Sequence, residues 1–303
     1  MSGERPILVA GKTGQLARCL VEAARRRPTA LASVGRPELD LTRPEILAQV
    51  IEAHAPRAIV NAAAYTAVDK AEAEPTLAMA VNRDGAGALA AAAARLRVPF
   101  IHVSTDYVFN GRKDAPYREE DAPFALSIYG RSKLEGEAVV AGAYPASVIL
   151  RTSWVYSPFG QNFVTTMLRL AATREKVAVV DDQRGAPTAA FDLADAILDL
   201  VDRLAAGRDR DTGGIYHLAN AGETTWHGFA AAIFAGWARR GRRVPALEAI
   251  TTAQYPTAAR RPANSRLDCS KAARVFGLRL PPWRSSLERC LDELARARAE
   301  AQA

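Results

Sequence analysis

An α/β fold built on a parallel sheet is predicted by three observations. Short, continuous apolar runs alternate with helical stretches through the first half of the chain, the pattern of strands buried on both faces by crossover helices. A glycine-rich turn, Gly11-Lys-Thr-Gly14, separates the first of these runs from the first helical stretch. After Trp154 the rhythm loosens, which marks a smaller α+β portion toward the C-terminal end.

Taken in order, residues 6–10 (PILVA) form the first strand, and the turn after them leads into an amphipathic helix that ends at Arg25-Arg26-Arg27. Residues 30–34 are a second strand, 44–54 a helix that opens on proline, and 57–61 a third strand. The alanine-rich stretch 75–96 is one long helix, and 98–104 a fourth strand. A helix over 126–141 and a fifth strand over 147–152 follow. Residues 177–180 read as a further strand and 192–204 as a helix, with later helices over 225–240 and 283–298. No internal repeat or low-complexity linker interrupts the chain, and the tail 297–303 reads as frayed. The expected division is 1–152 as the dinucleotide-binding portion, with 176–206 returning to it, and 153–175 with 207–303 as the substrate-binding portion.

The 303 residues are ample for a buried core, and 49% apolar with 24% charged is an ordinary globular balance. The net charge of +7 is spread over short clusters, Arg239-Arg240, Arg242-Arg243 and Arg260-Arg261 among them. A nucleic-acid surface would show a basic stripe with interleaved aromatics, and none is present, so no nucleic-acid partner is expected. A modest positive field still gathers small diphosphate ligands. Cys19, Cys269 and Cys290 are odd in number and have no C-x-x-C spacing, which argues against a disulfide framework or a zinc site. No apolar run reaches the length of a membrane span, and Met1-Ser-Gly-Glu-Arg5 does not open a signal peptide. A cytoplasmic protein without a membrane partner is the expectation.

Gly11 and Gly14, with Ala17 three residues later, have the form G-x-x-G-x-x-A. Gly11 permits the tight strand-to-helix turn, Gly14 lets backbone approach a pyrophosphate at the helix N-terminus, and Ala17 is small enough for close helix–sheet packing. This makes the sheet a Rossmann-type, doubly wound one. A phosphate-binding loop for nucleotide hydrolysis is rejected, because Pro6 stands where its first glycine is required. At the end of the second strand an acid would hold ribose hydroxyls, whereas an arginine suits a 2′-phosphate. Arg36 stands there, which favours NADPH and leaves NADH possible. Asp40 and Leu41 follow near the expected adenine end.

Tyr129-Gly-Arg-Ser-Lys133 is the most informative stretch. Four residues apart on a helix, its phenol and ammonium share a face. A neighbouring cation is expected to lower a tyrosine pKa that starts near ~10, so that the phenol trades a proton with a substrate oxygen. Ser104-Thr105-Asp106 ends the fourth strand, at the sheet edge where ligands collect. Thr105 is expected to hydrogen-bond the substrate oxygen, Tyr129 to donate the proton, and Lys133 to tune Tyr129 and hold the nicotinamide ribose. Asn61-Ala-Ala-Ala-Tyr65 would line the cofactor trough with small side chains.

With Asn61-Ala-Ala-Ala-Tyr-Thr-Ala-Val-Asp69, Ser104-Thr-Asp-Tyr-Val-Phe109, Arg151-Thr-Ser-Trp-Val-Tyr156, Gly185-Ala-Pro-Thr188 and Ala259-Arg-Arg-Pro-Ala-Asn-Ser265, the chain resembles the dTDP-4-dehydrorhamnose reductase family of extended short-chain dehydrogenase/reductases, over about residues 7 to 290. The resemblance implies reduction of the 4-keto group of dTDP-4-dehydro-L-rhamnose by NAD(P)H, with the proton from Tyr129. It implies that Gly14, Gln15 and Leu16 touch the pyrophosphate, and that Asp40, Leu41, Ala63, Ala64 and Tyr65 line the adenosine and ribose side. Tyr129 and Lys133 would meet the nicotinamide half. Thr105, Asp106 and Trp154 would meet the dTDP-sugar, and Asn162, Arg260 and Arg261 its nucleotide end. The resemblance implies that some members of the family form dimers bridged by magnesium through glutamates. The matching positions here are Cys19 and Phe191, which are not magnesium ligands. The expectation is therefore no metal, and a monomer or a homodimer that no metal bridges.

Three other readings stand beside this one. A sugar-nucleotide dehydratase needs an acid pair after the threonine, and Asp106 is followed by Tyr107. An epimerase keeps NAD bound through turnover, which Arg36 disfavours. A non-catalytic regulatory subunit like that of methionine adenosyltransferase resembles the same family, but the intact Thr105, Tyr129 and Lys133 set favours an enzyme.

Overall fold

Strands β1 (Ile7–Ala10), β2 (Leu31–Val34), β3 (Ala58–Asn61), β4 (Phe100–Thr105) and β5 (Val148–Thr152) form most of one central sheet in a computed structural model. The structure describes residues 5–207 and 212–300. The spatial order is β2-β1-β3-β4-β5, with Gly214–His217 as the sixth strand beside β5, and every pairing is parallel. The order reverses between β1 and β3, and the crevice at their C-terminal ends is the expected place for a ligand.

The continuous apolar runs have a direct cause. Ile7 and Val9 belong to the core on one face of the sheet, Leu8 and Ala10 to the core on the other. In β3, Ala58 and Val60 face one way and Ile59 the other. With both faces covered, a polar residue is accommodated only with a buried partner, and each fully buried large aliphatic contributes about 1.5–3 kcal/mol. The helices α1 (Gln15–Arg25) and Ala190–Ala205 cover one face. Helix α2 (Pro44–Ala53) and Ala86–Leu96 cover the other. The buried residues of α1, Leu16, Ala17, Cys19, Leu20, Ala23 and Ala24, follow helical spacing along one stripe.

Two strands differ from expectation. Gly214–His217 falls beyond the residue-207 boundary drawn for the substrate-binding portion, yet it pairs with β5 in the central sheet. As an edge strand with a tyrosine and a histidine, it lacks the apolar run of a central one. Lys176–Val180, assigned to the returning segment, pairs instead with Ala246–Ile250 in a separate two-stranded ribbon. Its alternating exposure, with Lys176 and Ala178 outside, is that of a strand buried on one face only.

The stretch 75–96 is helical but not uniform. Pro75–Met79 and Ala86–Leu96 are α-helical, and Ala80–Gly85 between them is a π-turn. A Cβ at Gly85 would stand 2.5 Å from the Leu41 carbonyl oxygen, and one at Gly136 would overlap the Asn82 carbonyl. Missing side chains thus let this helix sit tightly against both its neighbours. Toward the C-terminal end, Phe229, Ile233, Trp237, Leu287 and Leu291 extend the core of the α1 face. Residues 297–300 continue the Trp283–Glu300 helix, and 301–303 of the supposed frayed tail lie outside the described residues. No helix among the described residues is long and apolar enough to cross a membrane.

Candidate active site

At the end of β4 the chain turns through a short 3-10 segment, Asp106–Val108. Thr105 caps it, its Oγ1 accepting from the Tyr107 N–H at 3.2 Å and donating to Asp106 Oδ1 at 3.1 Å. The Asp106 side chain is buried, and its Oδ2 has no hydrogen-bond partner among the described residues. Burial pushes its carboxyl up to about 7, against the lowering pull of the nearby Ser265 and Thr105 hydroxyls.

The helix Ile128–Ala143 brings Tyr129 to this turn. Ser127 caps it by accepting from the Gly130 N–H at 3.1 Å, and the Ile128 N–H donates to Glu72 Oε1 at 2.8 Å. Gly130 explains the glycine of the Tyr-Gly-Arg-Ser-Lys run: a Cβ there would overlap the Tyr107 carbonyl. The Tyr107 and Tyr129 rings meet edge to face at 5.7 Å.

One expectation is corrected here. Burial pushes the Tyr129 phenol up to about 12, with the adjacent Thr105 hydroxyl pulling it down and the Asp106 charge pushing it up. Lys133 does not lower it. Its side-chain nitrogen points inward, 2.8 Å from the Val103 carbonyl and 3.2 Å from His102 Nε2. Burial lowers Lys133 itself to about 8, while Glu137 works in the other direction. Same-face spacing on a helix put the two side chains together, but the core behind the helix claimed the longer one.

Around the switch-point crevice, Gly11 has φ +124° and donates its N–H to the Val34 carbonyl at 2.7 Å. A Cβ on it would touch the Ala62–Ala63 backbone at 3.4 Å, so β1 and β3 close together at this glycine. Gly14 caps α1 without a side-chain hydrogen bond, and the space beside it is open. The first N–H groups of α1 therefore stand free of side-chain caps, which suits a pyrophosphate. The Gln15 carboxamide accepts from Ser157 Oγ at 3.0 Å, and Leu16 is buried. Backbone, not side chain, is what these two positions offer to a phosphate. Arg36 is exposed at the end of β2. Asp40 is held well ionised by Thr42, and Leu41 is buried under Gly85. Ala63, Ala64 and Tyr65 are half-buried at the end of β3, with the Tyr65 hydroxyl donating to Glu74 at 2.7 Å.

Trp154 has φ +48°, a left-handed conformation that a bulky side chain rarely takes. Its indole stacks on Trp226 at 3.7 Å, and Gly185 packs against the ring. One broad face is thus already spent inside the protein. Asn162 caps the helix Phe163–Thr173, and its amide also donates to the Ser157 carbonyl, so its polar atoms are committed to structure. Arg261 pairs with Asp69 at 2.6 Å, and Arg260 is exposed. Cys19 and Phe191 are both buried, with the Arg289 guanidinium over the Phe191 ring at 4.2 Å. Among the described residues no group of His, Cys, Asp and Glu is arranged to hold a metal ion.

Of three residues that organise this site, Asn82 and His102 are absent from the sequence expectation, and Asn61 has a place there only in the cofactor trough. Asn82, in the π-turn, bonds the Tyr65 N–H, the Tyr65 carbonyl and Ser132 Oγ, tying the cofactor-side loop to the Tyr129 helix. Asn61 and His102 form a buried chain to Lys133, Asn61 Nδ2 to His102 Nδ1 at 3.0 Å and His102 Nε2 to Lys133 Nζ at 3.2 Å. The available signal for His102 is a polar side chain inside an apolar run, between Ile101 and Val103, whereas Asn82, followed by Arg83 and Asp84, carries no such mark.

Comparison with known proteins agrees with this geometry. The family model described as RmlD substrate binding domain matches residues 5–296. A dTDP-4-dehydrorhamnose reductase of Sinorhizobium fredii is 51% identical over 93% of this chain and 95% of its own length. One from Burkholderia thailandensis is 44% identical over 95% and 98%. Among solved structures, dTDP-4-dehydrorhamnose reductase from Bacillus anthracis in complex with NADP superposes with a TM-score of 0.88 at 34% identity, covering 96% of this chain and all of that one.

Proposed function

The chain belongs to the dTDP-4-dehydrorhamnose reductase family, and we infer on that premise that it reduces the 4-keto group of dTDP-4-dehydro-L-rhamnose to dTDP-L-rhamnose with NAD(P)H. The observation that carries the chemistry is the meeting of Tyr129 and Thr105 at the C-terminal edge of β4, beside the Gly11 crevice.

Dinucleotide fits this crevice. The uncapped start of α1 at Gly14, Gln15 and Leu16 would hold the pyrophosphate through backbone N–H groups. Gly11, Ala63, Ala64 and Tyr65 would line the trough, with Asp40 and Leu41 at the adenosine end, and Arg36 is placed for a 2′-phosphate. When bound, the reduced nicotinamide supplies the hydride for the keto carbon. The phenol of Tyr129, pushed up to about 12, carries its proton at neutral pH. It is therefore the acid that quenches the alkoxide as it forms, a more basic oxygen than the phenolate left behind. Thr105 lies beside that phenol and would hold the substrate oxygen toward the same point. A high pKa suits reduction, since the tyrosine must arrive protonated; a phenolate would serve only the reverse reaction.

For the sugar we propose Thr105, Asp106 and Trp154 as contacts. Asp106 offers an uncommitted buried oxygen, and the Trp154–Trp226 stack offers a rigid apolar wall for a deoxysugar. Arg260 is exposed and would meet the nucleotide end, while Arg261 and Asn162 would act by holding their loops. The basic clusters do not form a nucleic-acid surface in this reading: Arg26 and Arg27 pair with Asp195 and Asp199, and Arg239 and Arg240 with Glu288 and Asp292. We place the reaction in the cytoplasm, in a monomer or a homodimer without a metal bridge. The dinucleotide portion is taken to include the strand Gly214–His217. Incubation with NADPH and dTDP-4-dehydro-L-rhamnose is expected to yield dTDP-L-rhamnose with one NADPH oxidised per product; no product under these conditions would refute the reading.

A further inference from the structure

The buried chain from β3 to Lys133 contains a proton inventory. The Ala63 N–H can only donate, and it stands 3.1 Å from the Asn61 side-chain oxygen. That contact fixes the orientation of the amide and turns its NH2 toward His102 Nδ1, 3.0 Å away. Nδ1 must then accept. His102 is fully buried, and burial by itself holds its pKa far below the usual imidazole range, so the ring is neutral and carries one proton. With Nδ1 accepting, that proton is on Nε2, directed at Lys133 Nζ at 3.2 Å. An ammonium has no lone pair to receive it; a neutral amine does, and still donates to the Val103 carbonyl at 2.8 Å.

We propose that Asn61 and His102 are positioning residues that set the charge of Lys133: Asn61 locks the imidazole in its Nε2–H tautomer, and that tautomer favours the neutral amine. The proposal rests on the placement of Lys133 in the reductase site described above. Burial already brings Lys133 to about 8, where one hydrogen bond tips the balance. The other charged groups around it are accounted for. Glu137, one turn along the same helix, is paired with Arg151 of β5 and bonded by Ser104 of β4. Tyr129 is protonated, and Arg83 of the π-turn pairs at the surface with Asp84 and Glu135. Protonating Lys133 requires the ring to exchange its N–H for a lone pair at Nε2. Asn61 must then give up the Ala63 N–H, in the loop proposed to line the cofactor.

The test uses the full-length protein with histidine labelled in nitrogen-15, and its four histidines are separable by long-range proton–nitrogen correlation. His102, identified by its absence in His102→Gln, is expected as the Nε2–H tautomer in the wild type. Asn61→Asp keeps an oxygen for Ala63 but presents a carboxylate to Nδ1, and is expected to reverse the tautomer. In the same variant, the Lys133 midpoint, read from labelled side-chain carbons of the six lysines, is expected to rise by about 1–2 pH units. A wild-type His102 protonated on Nδ1, or a Lys133 midpoint unmoved in Asn61→Asp, would overturn the proposal. If Asn61→Asp does not fold, the wild-type tautomer decides alone. A protein with the expected tautomer that turns over no keto sugar would sink the reductase reading and leave this inference standing.

Discussion

Glu137→Gln probes the buried scaffold behind the site. Glu137 accepts from Arg151 Nε at 2.9 Å and Nη2 at 2.6 Å, and from Ser104 Oγ at 2.5 Å. The ion pair is 2% and 3% exposed, so water replaces nothing that is lost. Glutamine keeps one acceptor oxygen but turns an NH2 group onto the Arg151 Nη2, donor against donor. Among the described residues Arg151 Nη1 has no hydrogen-bond partner, and the Phe109 ring 5.0 Å away is left to support the charge. Leaving a guanidinium buried and unneutralised costs about 3–5 kcal/mol. At about 2–4 °C per kcal/mol for a chain somewhat smaller than this one, the melting temperature should fall by roughly 10 °C. Urea unfolding and calorimetry measure both quantities. The double variant Glu137→Leu with Arg151→Met removes both charges and should recover most of the loss. A Glu137→Gln protein within about 1 kcal/mol of the wild type, or a double variant less stable than either single, would refute the reasoning.

Three further outcomes follow from the site. Thr105→Val removes the hydroxyl that lowers the Tyr129 pKa, so the phenol becomes a weaker acid and kcat should fall by about 10–100-fold, read by steady-state NADPH oxidation. The Asp106 carboxyl is raised to about 7 in the fold from about 4 in the unfolded chain, so the folded state binds the extra proton between these values and stability drops as pH rises through them. Asp106→Asn should flatten that decline and gain at most about 4 kcal/mol at pH 8 in urea titrations, while weakening substrate binding. Arg36→Ala should raise the KM for NADPH by about tenfold or more and leave that for NADH unchanged, since its guanidinium has only the 2′-phosphate to recognise.

Most of the sheet was legible because β1, β3 and β5 are buried on both faces and so contain no polar residue to disguise them until their C-terminal ends. The two strands misplaced by the sequence are those whose burial is one-sided or marginal. Gly214–His217 has an edge position and Lys176–Val180 a solvent face, and both patterns depend on partners far away in the chain. The alanine-rich helix is visible in the sequence, but its π-turn is not, because the contacts of Gly85 with Leu41 and of Asn82 with Gly136 join segments far apart in the chain. At the site, residue types and order located Thr105, Asp106 and Tyr129 together. The direction of Lys133 was not legible, since a four-residue spacing fixes the face of a helix and not where a long side chain ends. Trp154 was marked as a sugar contact, and its stacking partner Trp226, seventy-two residues on, leaves no local trace.

Tyr129→Phe tests the central claim most directly, because it removes one oxygen and leaves the ring packed against Tyr107. With saturating NADPH and dTDP-4-dehydro-L-rhamnose, kcat is expected to fall by about 100–10,000-fold while dinucleotide binding, followed by fluorescence, is retained. A variant that turns over within about threefold of the wild type would contradict the assignment of Tyr129 as the proton donor.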